Sequence, residues 1–154
     1  MWPGRRAVAV HALQAKYAVR HRVSSGSAIA YRRRKRYYRI RREVTVEQKG
    51  KRISIQPADS FFLTCNIFFD HPLVGEQSLD LEVTPENYAT EISPARTFGF
   101  SWELDALRNM GLIRGASLDG GVCFDKTTVL NPGGLRFPDE PCRHKALDLI
   151  GDLA

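Results

Sequence analysis

The sequence predicts an α+β domain, a two-layer sandwich in which a mostly antiparallel sheet is packed on helices. Three observations predict it. Phe61, Leu63, Cys65, Ile67 and Phe69 fall on every second residue, the period of a strand with one buried face. Runs with strand periodicity come first and helical runs mostly follow, rather than alternating with them. From Asp139 to Leu153 the apolar residues recur at helical spacing. With 154 residues, 43% hydrophobic and 26% charged, the chain has enough material for one domain with its own core.

The elements follow in order from residue 37, which opens the domain at 37–154; residues 1–36 form a separate basic segment without regular patterning. Val44 and Val46, a turn at Lys49-Gly50, then Ile53 and Ile55 predict a hairpin closed by Pro57. The Phe61–Phe69 strand comes next, and Leu79, Leu81 and Val83 alternate as its successor. Thr84-Pro85 has the residue types of an N-cap and first helical position, and its helix extends to about Ser93-Pro94. A short helix is expected from Trp102 to Met110, with Ser101 as N-cap and Gly111 after its end. Short strands around Val122–Phe124 and Thr128–Leu130 precede the break at Pro132-Gly133-Gly134. Asp139 then caps the last helix, with Glu140 and Pro141 in its first turn.

Charge divides the chain. Residues 1–52 hold 16 of the 23 Lys and Arg but only Glu43 and Glu47 of the 17 acidic residues, whereas the remainder is acidic. Arg32 to Arg36 is an unbroken run of five cations flanked by Tyr31, Tyr37 and Tyr38. Such runs bind polyanions or remain solvated. No nucleic-acid motif surrounds this one, so a solvated basic segment is favoured and nucleic acid is not the expected partner. No apolar run approaches the roughly 20 residues of a membrane span, so no transmembrane segment is expected, and no apolar stretch follows the basic N-terminus as in a secretory signal. Cys65, Cys123 and Cys142 are odd in number and scattered, which suits a reducing, cytoplasmic setting, and Cys65 and Cys123 read as small buried hydrophobes.

On the last helix, Ala146, Leu149, Ile150 and Leu153 form an apolar stripe, and His144, Asp148 and Asp152 stand opposite at four-residue intervals. His144 and Asp148 can therefore reach one point, and imidazole with carboxylate is an ordinary pair of zinc ligands. A zinc site needs more than two ligands. On spacing alone, a solvated or hydrogen-bonded pair is the commoner explanation.

Longer words along the chain carry more. Ala95 to Phe100 (ARTFGF), Gly115 to Asp119 (GASLD), Leu130-Asn131 with Gly134 to Arg136, and the Arg143-His144-Lys145 to Asp152 segment occur in this order, with Asp70-His71-Pro72 ahead of them. Together they resemble the zinc-dependent UDP-3-O-acyl-N-acetylglucosamine deacetylases of lipid A synthesis over residues 37–154. The resemblance implies a family of two similar α+β domains, of which this is the second. It implies hydrolysis of the N-acetyl amide of UDP-3-O-(3-hydroxyacyl)-N-acetylglucosamine, with Zn2+ polarising the carbonyl and activating water. It implies that His144 and Asp148 ligate the metal. It implies that Thr97 steadies the oxyanion and that Lys145 contacts the nucleotide-sugar substrate. Phe98 corresponds to an aromatic wall of the sugar pocket (core packing being its plain alternative), Phe69 to an aromatic near uracil, and Asp152 to a carboxylate that holds a catalytic His. Residues 104–124, with Leu104, Ile113, Leu118 and Val122, resemble the lining of an acyl passage. Phe68 departs from the family, which carries Asp there; Pro141-Cys142 also depart.

The resemblance further implies a third ligand and a general base from a first domain, and a catalytic His beyond residue 154. No segment among residues 1–36 matches that first domain; His11 follows Val10 rather than a Glu. The expectation is therefore a fragment, truncated at both ends and inactive alone, that pairs with a separately encoded first domain. The alternative is a non-catalytic module acting through its basic segment on polyanions or on a partner.

Overall fold

The computed structural model describes residues 40–103 and 120–153. The expected helix beyond Glu103, residues 104–119 of the expected acyl passage, the Arg32–Arg36 run and His11 lie outside the described residues. Among the described residues, six strands with helical segments between and after them make an α+β fold, as the sequence predicts.

Strands β1 (Val44–Gln48) and β2 (Lys51–Ile55) form the expected antiparallel hairpin, with Val46 opposite Ile53. Strands β3 (Phe62–Phe69) and β4 (Gly75–Glu82) pair antiparallel in a register that sets Leu63 against Leu81 and Cys65 against Leu79. That register puts the apolar residues of both strands on one face, where Leu63, Cys65, Ile67 and Leu79 are buried. Burying one such side chain contributes about 1.5–3 kcal/mol.

Thr84 caps α1 (Pro85–Asn87) through its hydroxyl, which accepts from Asn87 N at 3.1 Å. The segment then widens into a π-helical turn, Tyr88–Ile92, with Ser93 N donating to Tyr88 O at 2.8 Å. The hydroxyls of Thr90 and Ser93 bond the carbonyls of Glu86 and Ala89, the acceptors four residues back that the backbone would otherwise use.

Strands β5 (Thr97–Phe100), which the sequence pattern did not announce, and β6 (Gly121–Phe124) pair in parallel, beside two antiparallel pairs. Parallel neighbours need a long crossover, and residues 101–120 supply the chain for it. Ser101, expected as an N-cap, lies inside the helical turn at 101–103, and its hydroxyl donates to Asp125 Oδ1 at 2.6 Å. Residues 128–130 form a single bridge, Val129 to Phe124, rather than a strand. Asn131 completes that edge: its side chain accepts from Cys123 N at 2.8 Å and donates to Gly121 O at 2.7 Å.

The last helix, α2 (Glu140–Leu153), packs on β3, β4 and the π-helical turn. Cys142 and Ala146 are buried there, with Leu149 and Ile150 alongside, whereas Leu153 is more exposed than its place on the stripe implies. Val74, Phe100, Val122 and Phe124 form a second apolar cluster, and Phe69 packs against both. No helix among the described residues is long and apolar enough to cross a membrane.

Candidate metal centre

Helix α2 carries the chemistry on the side away from its buried stripe. His144 Nδ1 lies 3.2 Å from the carbonyl oxygen of Ala95, just before β5. A carbonyl only accepts, so this bond puts a proton on Nδ1, and in the neutral ring Nε2 then carries the lone pair. Nε2 then lies 3.5 Å from Asp148 Oδ1. A lone pair beside a carboxylate oxygen is stabilised by a cation between them. Ordinary Zn–N and Zn–O bonds at the tetrahedral angle would separate the two donors by about 3.4 Å. The pair therefore fits two corners of a zinc site. Among the described residues no third His, Cys, Asp or Glu joins them.

Lys145 shares Asp148, its Nζ donating to Oδ2 at 2.9 Å, and also lies 5.9 Å from the centre of the Phe98 ring. Phe98 stands edge-on to Phe69 at 5.3 Å. Lys145, Phe98 and Phe69 thus form a chain of contacts leading from the His–Asp pair. Phe98 is half-buried against the second apolar cluster, so it serves the core as well as this face. Thr97, on β5 two residues after the carbonyl that holds His144, is exposed. Asp152 is exposed on the last turn of α2, one turn beyond Asp148. Phe68, the departure from the family pattern, lies on β3 opposite Glu76.

Sequence reasoning missed the support beneath this face. Glu140 is fully buried. Its Oε1 accepts from Arg96 N and Arg96 Nε, each at 2.9 Å, and its Oε2 from Arg136 N at 2.7 Å and Arg96 Nη2 at 3.1 Å. Burial alone would raise the Glu140 pKa, but these donors outweigh it and hold the carboxyl below its ordinary range. The same bonds push the Arg96 guanidinium up. Arg143 is gripped similarly by Asp139 Oδ1 at 2.7 Å and Glu91 Oε2 at 2.6 Å. Asp139 thus uses its carboxylate on Arg143, and its carbonyl oxygen accepts from Cys142 N and Arg143 N. These partners stand 44 and 52 positions apart in the long-range pairs, so no local pattern announces them.

His71 was also missed as a structural residue. Leu73 N donates to its Nδ1 at 3.2 Å, which makes Nε2 the protonated nitrogen that donates to Asp125 O at 2.9 Å. Its ring packs against Phe100 and Phe124. The Ser101 hydroxyl, together with the Lys126 backbone, holds the Asp125 carboxyl below its ordinary range. Asp70-His71-Pro72, legible as part of a family word, is in this structure the turn that joins β3 to β4, with His71 buried against β6 and Asp70 and Pro72 exposed.

Fold and site together define an α+β domain with its polar chemistry concentrated on one helix. Residues 19–154 match the family model of UDP-3-O-acyl N-acetylglycosamine deacetylase, and the chain belongs to that family. It is similar to the UDP-3-O-acyl-N-acetylglucosamine deacetylase of Solibacter usitatus (strain Ellin6076), 64% identical over 124 residues, which cover 80% of this chain and 42% of that protein. The proteins of the same name from Oleidesulfovibrio alaskensis and Myxococcus xanthus are 51% and 48% identical. Those matches cover 76% and 75% of this chain, and 38% and 37% of the relatives. The chain therefore spans less than half the length of these relatives.

Proposed function

We propose that this chain supplies the His144–Asp148 half of a zinc site in a cytoplasmic UDP-3-O-acyl-N-acetylglucosamine deacetylase, the activity named for its relatives. The observation that carries the reading is the 3.5 Å approach of His144 Nε2 to Asp148 Oδ1, with Nδ1 already committed to Ala95 O. Zinc bound there would supply a Lewis acid for the amide carbonyl of the N-acetyl group and an activated water. The chain's own residues orient and bind. Lys145 offers a cation to the diphosphate of the substrate, and Asp148 keeps that cation beside the metal face. Thr97 offers a neutral hydroxyl donor to the oxyanion. Phe98 and Phe69 give a flat apolar wall for the sugar and base, and Asp152 orients a histidine supplied from outside the described residues. The third ligand comes from a separately supplied first domain.

Zinc titration followed through the His144 ring resonances tests the metal half. Zinc shifts them in the wild-type chain, and the saturable shift is lost in Asp148→Ala, which keeps the reporting ring but removes its partner. Acetate release from the acylated UDP-sugar tests the reaction. It is expected when the chain is mixed with the part of the Solibacter usitatus relative that lies outside the match, and falls at least about a hundredfold in His144→Ala. Equal release by wild type and His144→Ala would sink the reading.

A further inference from the structure

Glu140, His144 and Asp148 occupy successive turns of one face of α2, and a single peptide unit lies across the first two. The Ala95 carbonyl accepts from His144 Nδ1 at 3.2 Å, while the N–H of that same peptide group, belonging to Arg96, donates to Glu140 Oε1 at 2.9 Å. A trans peptide is planar, and its C=O and N–H point in opposite directions, so the two bonds pull along one axis through one rigid group. We propose that Glu140 is a positioning residue for His144, acting through the Ala95–Arg96 peptide as a carboxylate–peptide–histidine relay.

Two effects follow from the geometry. The first is orientation. Glu140 is fully buried, and its carboxylate accepts four bonds, two of them from the backbone N–H groups of Arg96 and Arg136. The Arg96 guanidinium is also tied to Gly134 O at 2.8 Å, and Arg136 Nη1 to Pro94 O at 2.7 Å, so the strand entry from Pro94 to Arg96 is held from both sides. The carbonyl facing His144 is thereby fixed, and with it the Nδ1–H tautomer that leaves Nε2 free toward Asp148. The second is polarisation. A negative charge on the N–H end of a peptide increases the electron density on its carbonyl, and hydrogen bonds in a chain strengthen one another. Ala95 O becomes a stronger acceptor for Nδ1–H and holds the ring more firmly in its orientation, as a carboxylate bonded directly to the ring would also do.

The inference rests on the reading of His144 as a metal ligand, but its structural half can be tested without metal. In the zinc-free full chain, nitrogen chemical shifts of the neutral His144 ring should show the Nδ1–H tautomer in wild type and a mixture of tautomers in Glu140→Gln. Zinc affinity should fall about tenfold to a hundredfold in Glu140→Gln. Arg96→Lys separates the relay from general weakening. It loses the guanidinium fork and lowers the unfolding midpoint, but it keeps the backbone N–H bonded to Glu140. Its tautomer and zinc affinity should therefore stay at wild-type values. A predominant Nε2–H tautomer in wild type overturns the relay, and that measurement stands even if Glu140→Gln does not fold. Equal losses of affinity in both variants, or none in Glu140→Gln, overturn it too. If wild type and His144→Ala bind zinc equally, the metal reading falls and the tautomer measurement alone decides the relay.

Discussion

The Thr97 end of β5 lies against β6 without room for a side chain there. A Cβ on Gly121 would meet both Thr97 Cγ2 and Thr97 O at 3.3 Å. One of those atoms is backbone and cannot rotate away, so Gly121→Val must shift the strand pair or its register. We expect a loss of about 1–3 kcal/mol, read from urea unfolding. We also expect Thr97 to be displaced, because its strand partner is Gly121. A variant as stable as wild type would mean that β5 moves freely at this point. At this scale the sequence told most about residues whose partners are near in the chain. His144 and Asp148 could be paired from their four-residue spacing alone. Glu140 could be placed only in a first helical turn, because its partner Arg96 belongs to a strand entry 44 positions earlier. A buried carboxylate and a surface one look alike until the fold brings the arginine.

At the scale of elements, the hairpin of β1 and β2 turns through Lys49 at φ 51° and Gly50 at φ 72°. Two successive left-handed residues make the tight turn that matches strand twist, and the first position favours Asn over a long side chain. Lys49→Asn should therefore stabilise the chain by a few tenths to about 1 kcal/mol without changing its far-UV spectrum. Loss of stability would show that the lysine makes a compensating contact. The hairpin was legible because its alternation and its turn are both local, and so were β3, β4, the Thr84 cap and α2. The parallel pairing of β5 with β6 was not. Four-residue strands carry too short a pattern to reveal direction, and their partnership depends on a crossover rather than a turn. The π-helical turn escaped for a similar reason, since its apolar spacing is that of an ordinary helix and the bond from Ser93 N to Tyr88 O, five residues back, appears only in the fold.

At the scale of the whole molecule, α2 is joined to the rest by apolar packing on one side and by arginine–carboxylate clamps on the other. Packing is insensitive to mild acid, but the clamps are not. Burial disfavours the charged form of Glu140, yet the bonds from Arg96 and Arg136 outweigh it and hold the folded-state pKa below the unfolded one. The folded chain then binds fewer protons at this group than the unfolded chain, so the stabilisation is complete above the ordinary carboxylate range and is lost as pH falls through the folded value. Arg96 and Arg143, both shifted upward, stay charged throughout that window and add no slope of their own. Wild-type unfolding free energy should therefore decline below about pH 4, with an excess slope over Glu140→Gln of up to about 1.4 kcal/mol per pH unit. Near neutral pH the same substitution should cost about 3–5 kcal/mol, because it leaves the Arg96 guanidinium buried against a neutral partner. Urea unfolding across that pH range measures both quantities on the same samples. Parallel pH profiles for the two proteins would show that Glu140 carries no depressed pKa. A converging pair, far apart at neutral pH and close in acid, is what a buried clamp beneath the His144 face requires.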